Sequence, residues 1–82
     1  MEILESRKAL AERAKEARMK SKETQMEASK RFKVHPQTIS DAESKIDRKM
    51  DKIRVRMIEE YEQVEIVPLW GISPKTQNAV QS

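Results

Sequence analysis

Cysteine is absent from this chain of 82 residues, and glycine, proline and aromatic residues are scarce, with one Gly, three Pro and one each of Phe, Tyr and Trp. Without cysteine the chain forms no disulfide, no thiolate metal site and no thiol nucleophile. A single glycine excludes a glycine-rich phosphate-binding loop. Since 37% of the residues are hydrophobic and 38% are charged, the apolar core must be thin, and we expect oligomerisation to support it.

Long apolar runs are also lacking. No segment approaches the roughly 20 apolar residues that a membrane span needs, and the first residues do not show the basic-then-apolar order of a secretory signal. We therefore expect a soluble, cytoplasmic protein that has no membrane partner.

Charge is distributed unevenly along the chain. Residues 44–56 contain six Lys or Arg and two Asp, a net charge of +4, whereas residues 57–82 contain one Lys and four Glu, a net charge of −3. Residues 1–23 carry +2 and residues 24–43 carry none. The basic block therefore follows directly after a neutral stretch, and this position matters more than the overall charge of +3.

Residues 2–21 lack Gly and Pro and are rich in Ala, Glu, Lys and Arg, which favour a helix. The predicted buried stripe of this helix is small in side-chain volume and consists of Ile3, Leu10, Ala14, Ala17 and Ser21. Ser6 is an alternative N-cap, which would leave the first five residues as a loose extension.

Two short helices joined by a tight turn are predicted in residues 24–43. Thr24 and Glu27 have the spacing of a capping box, so the first of these helices begins at Gln25. A turn at Lys33 follows, and Pro36 begins the next helix, because proline is favoured at the first helical position. The inner faces of the two helices are predicted to carry Ala28, Phe32, Ile39 and Ala42.

The outer face of the second short helix is polar. It carries Gln37, Ser40, Asp41 and Ser44 at helical spacings. Such side chains suit the reading of base edges in a major groove, which is wide enough for a helix, because Gln offers a donor and an acceptor to adenine and a carboxylate accepts from cytosine.

Residues 10–43 resemble the first three helices of the Cro and lambda-repressor-like helix-turn-helix proteins. The resemblance is ungapped and rests on Leu10, Arg18, Gln25, Ser29, Val34, Thr38, Ile39, Ser40 and Glu43. It implies a small phage-type transcription regulator that binds double-stranded DNA and reads it with a recognition helix at about residues 36–44.

The resemblance also implies roles for single positions. Gln25 would hold a DNA phosphate at a helix N-terminus. Thr38 would touch the DNA backbone, and Arg18 and Glu43 would form a structural pair. Bases would be read from Pro36, Gln37 and Asp41.

Cationic side chains just past the recognition helix are placed to neutralise phosphates. We assign this role to Lys45, Arg48 and Lys49, and with less weight to Arg54 and Arg56. The alternative is a solvated helix surface, since Asp47 and Asp51 interrupt the block.

The chain departs from the family in ways that affect stability. Lys33 stands where glycine is usual, and a left-handed residue other than glycine costs about 1–2 kcal/mol. Ala14, Ala17, Ala28 and Ala42 stand where larger aliphatic residues are common, and Glu23 replaces a common Leu. We therefore expect a fold that is marginally stable or depends on a partner.

Residues 46–67 contain no Gly or Pro and place apolar residues near a seven-residue repeat. One interpretation is a continuous helix that forms a dimeric coiled coil. The other is a fourth helix at residues 50–57 that packs on the recognition unit and a fifth helix at residues 58–70 that makes the dimer contact. A short strand within residues 64–70 is a further alternative, because Val64, Ile66 and Val67 are β-branched.

In either helical arrangement, dimerisation through residues 57–70 is favoured over a purely intramolecular role for these residues. The predicted contact residues are Met57, Ile58, Tyr61, Val64, Ile66, Leu69 and Trp70. Residues 71–82 are polar with a proline and are predicted to be a flexible tail.

No catalytic or metal site is predicted. His35, the only histidine, precedes Pro36 at a helix start, where a capping or DNA-facing role is more common than that of a general base. The glutamates of residues 59–65 are expected on an exposed helix surface. The five methionines at helical spacing are expected to fill the core, and no cofactor is implied.

Together these features predict an all-α, helix-turn-helix domain of four to five helices in residues 1–70, with a long or strand-like C-terminal dimerisation element. The predicted function is repression or activation of transcription by a homodimer bound to a palindromic operator. RNA polymerase or another regulator would be a further partner, in the cytoplasm of a bacterial or phage-infected cell. The alternative function is a protein-binding adaptor, antitoxin-like or antirepressor-like, that keeps the same scaffold.

Overall fold

The computed structural model describes residues 2–67 and 70–74. The order of elements is β1 (Glu2–Ile3), α1 (Arg7–Lys20), α2 (Gln25–Phe32), α3 (Pro36–Ser44), α4 (Asp51–Glu62), β2 (Val64–Val67) and β3 (Gly71–Pro74). The domain is mostly helical, but the all-α prediction is wrong, because a three-stranded antiparallel sheet of order β1-β3-β2 completes it.

Helix α1 begins later than the predicted residue 2. The Ser6 hydroxyl caps it by accepting a hydrogen bond from the Ala9 N–H at 3.0 Å, which confirms the alternative start. Ile3 lies in β1 and is 55% exposed, and Ser21 lies past the helix end in an exposed position, so neither belongs to the buried stripe. Leu10, Ala14 and Ala17 are buried as predicted.

The two short helices form where the local signals placed them. Both hydrogen bonds of the capping box are present, since the Thr24 N–H donates to Glu27 Oε1 at 2.8 Å and the Glu27 N–H donates to Thr24 Oγ1 at 3.1 Å. Lys33 ends α2 in the left-handed conformation, with φ 58° and ψ 46°. Pro36 is the first residue of α3, as predicted.

Neither predicted helical arrangement of residues 46–67 is found as a whole. The chain leaves α3 through turns at residues 45–50 and only then forms α4, which ends at Gln63 in the left-handed conformation. The continuous coiled-coil helix and the fifth helix at residues 58–70 are therefore wrong. The fourth helix is present but extends to Glu62, and the strand alternative is confirmed by β2.

β3 is the central strand of the sheet, although residue 71 was predicted to begin a flexible tail. Ile72 faces Ile66 of β2 on one side and Glu2 of β1 on the other. Both Gly71 and Ile72 are buried. The polar composition of residues 71–82 concealed this strand, because the apolar residues that it needs are supplied by β2 and the helices. Residues 75–82 lie outside the described part of the chain.

The core lies between the helices and the inner face of the sheet. Its larger members, Leu10, Phe32, Ile39, Met57 and Ile58, are joined by alanines from α1, α2 and α3, which allow close helix approach. The rings of Phe32 and Tyr61 meet edge to face, with centroids 5.5 Å apart. Among the described residues, no helix combines the length and apolar character of a membrane span.

Candidate nucleic-acid interface

The outward face of α3 is polar, as the sequence predicted. Gln37 and Ser44 are exposed, and Pro36, Thr38 and Ser40 are half-buried. The Ser44 hydroxyl donates back to the Ser40 carbonyl at 2.7 Å, which leaves its oxygen facing outward as an acceptor. The His35 Nδ1 accepts from the Gln37 N–H at 3.0 Å and caps the helix, so its ring marks the N-terminal end of this face.

A buried ion pair fixes α3 against the first two helices. Arg18 of α1 donates two hydrogen bonds to the Glu43 carboxylate, at 2.5 and 3.0 Å, and a third to the Glu23 carbonyl at 2.8 Å. The Glu43 side chain is only 2% exposed. Hydrogen bonding to Glu43 raises the pKa of Arg18. The predicted structural pair therefore forms, and its bidentate geometry holds α3 against α1.

Gln25 shares this carboxylate. Its Nε2 donates to Glu43 Oε1 at 3.1 Å, so one N–H of the amide is engaged by the ion pair. A primary amide has a second N–H, and Gln25 lies at the N-terminus of α2, half-exposed. The position is therefore compatible with a phosphate contact, and the side chain is held in place by the same group that orients α3.

Three exposed cations follow α3. Lys45, Arg48 and Lys49 lie in the turns between α3 and α4, not on a continuous helix. Each was predicted to contact phosphates, and all three are exposed to solvent. The outward face of α3 and these three cations together are called the recognition surface.

Asp41 does not lie open for base reading. Its Oδ1 accepts from Gln37 Nε2 at 2.9 Å and its Oδ2 lies 3.4 Å from Arg48 Nη1, so both oxygens face protein donors. The side chain is 12% exposed, whereas that of Arg48 is 62% exposed. The predicted base contact from Asp41 is therefore replaced by a contact with two neighbouring side chains of the recognition surface.

Arg54 was assigned to the phosphate-binding block, but it is fully buried. Its guanidinium donates to the carbonyls of Ala42, Lys45 and Arg48, at 2.7, 2.8 and 3.0 Å. These carbonyls belong to the last turn of α3 and to the turns that follow it. Burial lowers the pKa of Arg54, and the Asp51 carboxylate, 3.7 Å away, acts in the opposite direction. Arg54 thus holds the backbone from which Lys45 and Arg48 project.

The sequence did contain a sign that Arg54 is buried. Arg54 stands four residues after Met50 and four before Ile58, which places it on the apolar face of a helix. The many cations around it concealed this position. Arg56, in contrast, is exposed and lies over the Phe32 ring at 5.4 Å from its centroid, near the end of α2.

The predicted dimerisation residues separate into two groups. Met57 and Ile58 are fully buried within one chain, so they form the core of the monomer and the prediction for them is wrong. Tyr61, Val64, Ile66 and Trp70 are half-buried. Tyr61 donates to Glu23 Oε1 at 2.8 Å and so already has a polar partner within the chain. Leu69 lies outside the described residues.

β2 is an edge strand of the sheet. The Ile66 N–H points away from β3 and donates to Glu59 Oε2 at 2.9 Å. Residues alternate in direction along an antiparallel strand, so the Val64 N–H points to the same outer side. In the described residues, β2 therefore presents one edge that pairs with no other strand.

The described residues show no cluster of three or more His, Asp or Glu side chains that would hold a metal ion. No protein-family model matches the chain, and neither a curated protein nor a solved structure was found that is similar to it.

Proposed function

We propose that this protein is a sequence-specific DNA-binding transcription regulator of the small phage repressor and Cro type. In this proposal α3 enters the major groove of double-stranded DNA, and Gln37, Ser40 and Ser44 face the base edges. The regulator would act in the cytoplasm of a bacterial or phage-infected cell. It would act by competing with RNA polymerase for the site or by touching it or another regulator.

The observation that carries this proposal is the recognition surface. A short helix presents uncharged hydrogen-bonding side chains, and three exposed cations follow it directly. Uncharged donors and acceptors suit base edges, whereas cations suit phosphates. A buried ion pair and a buried arginine hold the backbone of this surface, so little conformational entropy would be lost on binding.

The proposed active form is a homodimer. β2 offers an edge with outward N–H groups, and a second copy could pair with it about a two-fold axis. Half-buried Val64, Ile66 and Trp70 belong to this end of the domain. A symmetric dimer would require a palindromic operator with half-sites about one helical turn apart.

The experiment is selection of bound sequences from a randomised duplex pool at near-physiological salt, where non-specific attraction is weak. A parallel selection at low salt measures the non-specific background. The proposal predicts enrichment of one palindromic motif. Enrichment of no motif by folded protein would contradict it and would favour the adaptor function, in which the edge of β2 and the half-buried apolar residues near it hold another protein.

A further inference from the structure

Gln37 and Asp41 lie one turn apart on α3 and are joined by a hydrogen bond of 2.9 Å from Nε2 to Oδ1. An ionised carboxylate only accepts hydrogen bonds, whereas a primary amide has a donating end and an accepting end. The amide nitrogen of Gln37 must therefore face Asp41, and the reversed orientation would oppose two acceptors. The carboxylate fixes which way the amide points.

Asp41 itself is held from its other side. Its second oxygen lies 3.4 Å from Arg48 Nη1, and the side chain is 12% exposed. Asp41 is therefore largely covered and is contacted at both oxygens, which limits its freedom to turn away from Gln37.

This arrangement leaves a defined pattern on the exposed end of Gln37. The amide has two N–H groups and one carbonyl. One N–H is engaged by Asp41, so one N–H and the carbonyl remain to face outward. Adenine presents an acceptor, N7, beside a donor, the N6 amino group, in the major groove, and a Gln amide pairs with both. Guanine presents two acceptors, N7 and O6, and its O6 would meet the Gln37 carbonyl.

We propose that Asp41 makes Gln37 selective for adenine over guanine in the operator, an inference that rests on the proposed DNA-binding function. Gln37 contacts the base, and Asp41 acts as a positioning residue. Without Asp41 the amide turns freely, and its two N–H groups can donate to guanine. Asp41 therefore contributes specificity rather than affinity.

The simplest alternative is that the pair only stabilises α3, since Gln and Asp side chains one turn apart stabilise helices slightly. The two roles differ in what they predict. A stabilising pair changes binding to all sequences alike. A positioning pair changes the ratio of affinities for adenine and guanine at one base pair of each half-site.

The test uses the full chain and the operator obtained by selection. The base pair read by Gln37 is first located as the one at which Gln37→Ala loses its preference. Binding of wild type and Asp41→Asn is then measured on operators carrying adenine or guanine there. Asn retains the size of Asp but offers both a donor and an acceptor, so either orientation of Gln37 is accommodated.

Wild type is expected to favour adenine by roughly 5- to 150-fold, the range of a good bidentate contact. Asp41→Asn is expected to bring this ratio close to one. Asp41→Glu, which keeps an accepting carboxylate, should recover part of the preference. Lys49→Gln, which removes an exposed cation and leaves both contacts of Asp41 in place, should retain the preference while weakening binding to all sequences. Asp41→Ala, in which the amide is also released, is measured if Asp41→Asn does not fold.

A ratio that stays unchanged in folded Asp41→Asn and Asp41→Ala would overturn the inference, as would a wild-type preference for guanine at this base pair. Failure of the proposed function is a separate outcome, because wild type would then select no motif. A motif that is selected but is insensitive to Asp41 refutes only the role of Asp41.

Discussion

Arg54 is the side chain on which the backbone of the recognition surface depends most directly. Three carbonyls, those of Ala42, Lys45 and Arg48, accept from one buried guanidinium. Replacing it by an apolar residue would leave the buried carbonyl of Ala42 and the part-buried carbonyls of Lys45 and Arg48 without their partner. An orphaned buried group costs about 1–3 kcal/mol, and a part-buried one costs less because water can reach it.

We therefore expect Arg54→Met to lower the free energy of unfolding by about 3 kcal/mol, measured by urea denaturation. Arg56→Met removes the same charge two residues later on the same helix, from an exposed position. Its expected effect is about 1 kcal/mol or less, since its contacts with Phe32 are at the surface. Equal losses in the two variants would show that the buried hydrogen bonds of Arg54 contribute little.

Glu23 links the turn after α1 to two other helices. Arg31 of α2 forms an ion pair with its carboxylate, and Tyr61 of α4 donates to it at 2.8 Å. The hydrogen bonds from Arg31 hold the pKa of Glu23 below its usual range, and the hydroxyl of Tyr61 acts in the same direction. The ion pair and the hydrogen bond from Tyr61 give Glu23 a structural role.

A carboxyl whose pKa is lowered on folding stabilises the fold above its unfolded pKa, about 4.3 for Glu, and this contribution is lost as the pH falls through the folded value. We expect the unfolding free energy of wild type to decline with acidity more steeply than that of Glu23→Gln. Glu12→Gln, on the exposed side of α1, is the matched control and should decline like wild type. Parallel curves for wild type and Glu23→Gln would exclude this linkage.

Helix starts that depend on local signals form as predicted, whereas the sheet, which depends on distant pairing, was predicted only as an alternative strand within residues 64–70. The capping box, Pro36 and the Ser6 cap define helix starts within a few residues of sequence. The turn at Lys33 is also local, and lysine adopts the left-handed conformation there. The sheet requires residues 64–67 to pair with residues 71–74, and residues 71–72 to pair with β1 near the other end of the described chain.

The edge of β2 is the proposed dimer contact. Glu59 occupies the outward N–H of Ile66, which a second strand would need. We expect Glu59→Ala to strengthen self-association about fivefold, the equivalent of one hydrogen bond of about 1 kcal/mol, in sedimentation equilibrium.

Glu60→Ala serves as the control because it removes an equal charge from the next, exposed position of α4. If both variants strengthen association equally, the cause is the loss of negative charge. If neither changes it, the edge of β2 is not the dimer contact.

The charges of the domain are unevenly distributed, and its apolar core is thin. The positive block of residues 44–56 lies beside α3, while the segment that contains β2 is acidic. The basic block beside α3 therefore attracts a polyanion, whereas the acidic segment that contains β2 repels it. Since five of the buried hydrophobic residues are alanines, the isolated domain is expected to be only marginally stable.

Ligand binding to the folded state should raise the melting temperature of such a domain clearly. Selected operator at 100 times its dissociation constant adds about 2.7 kcal/mol, which corresponds to roughly 10–20 °C for a domain of this size. Thermal melting followed by the signal of Trp70 would measure this. A scrambled duplex at the same concentration should raise the melting temperature much less, and equal shifts would indicate binding without sequence selectivity.

The sequence alone determined the two short helices joined by a turn and, except for Asp41, the polar positions that face outward from the second helix. This was possible because helix caps, a proline and helical spacing act over three or four residues, so each signal is contained in a short stretch of sequence. The same local reasoning identified Gln37, Ser40, Ser44 and the exposed cations.

Tertiary structure alone decided the roles of Asp41, Arg54, Met57 and Ile58, and the place of residues 71–74. The sequence pattern is compatible with a buried or an exposed position for each of these side chains. They are an aspartate on a polar face, an arginine in a basic block and apolar residues in a heptad pattern. Burial by elements distant in sequence chose between them, because the cost of an unpaired buried polar group or an exposed apolar one depends on those neighbours. The sheet follows the same principle, since a strand is satisfied only by its partners.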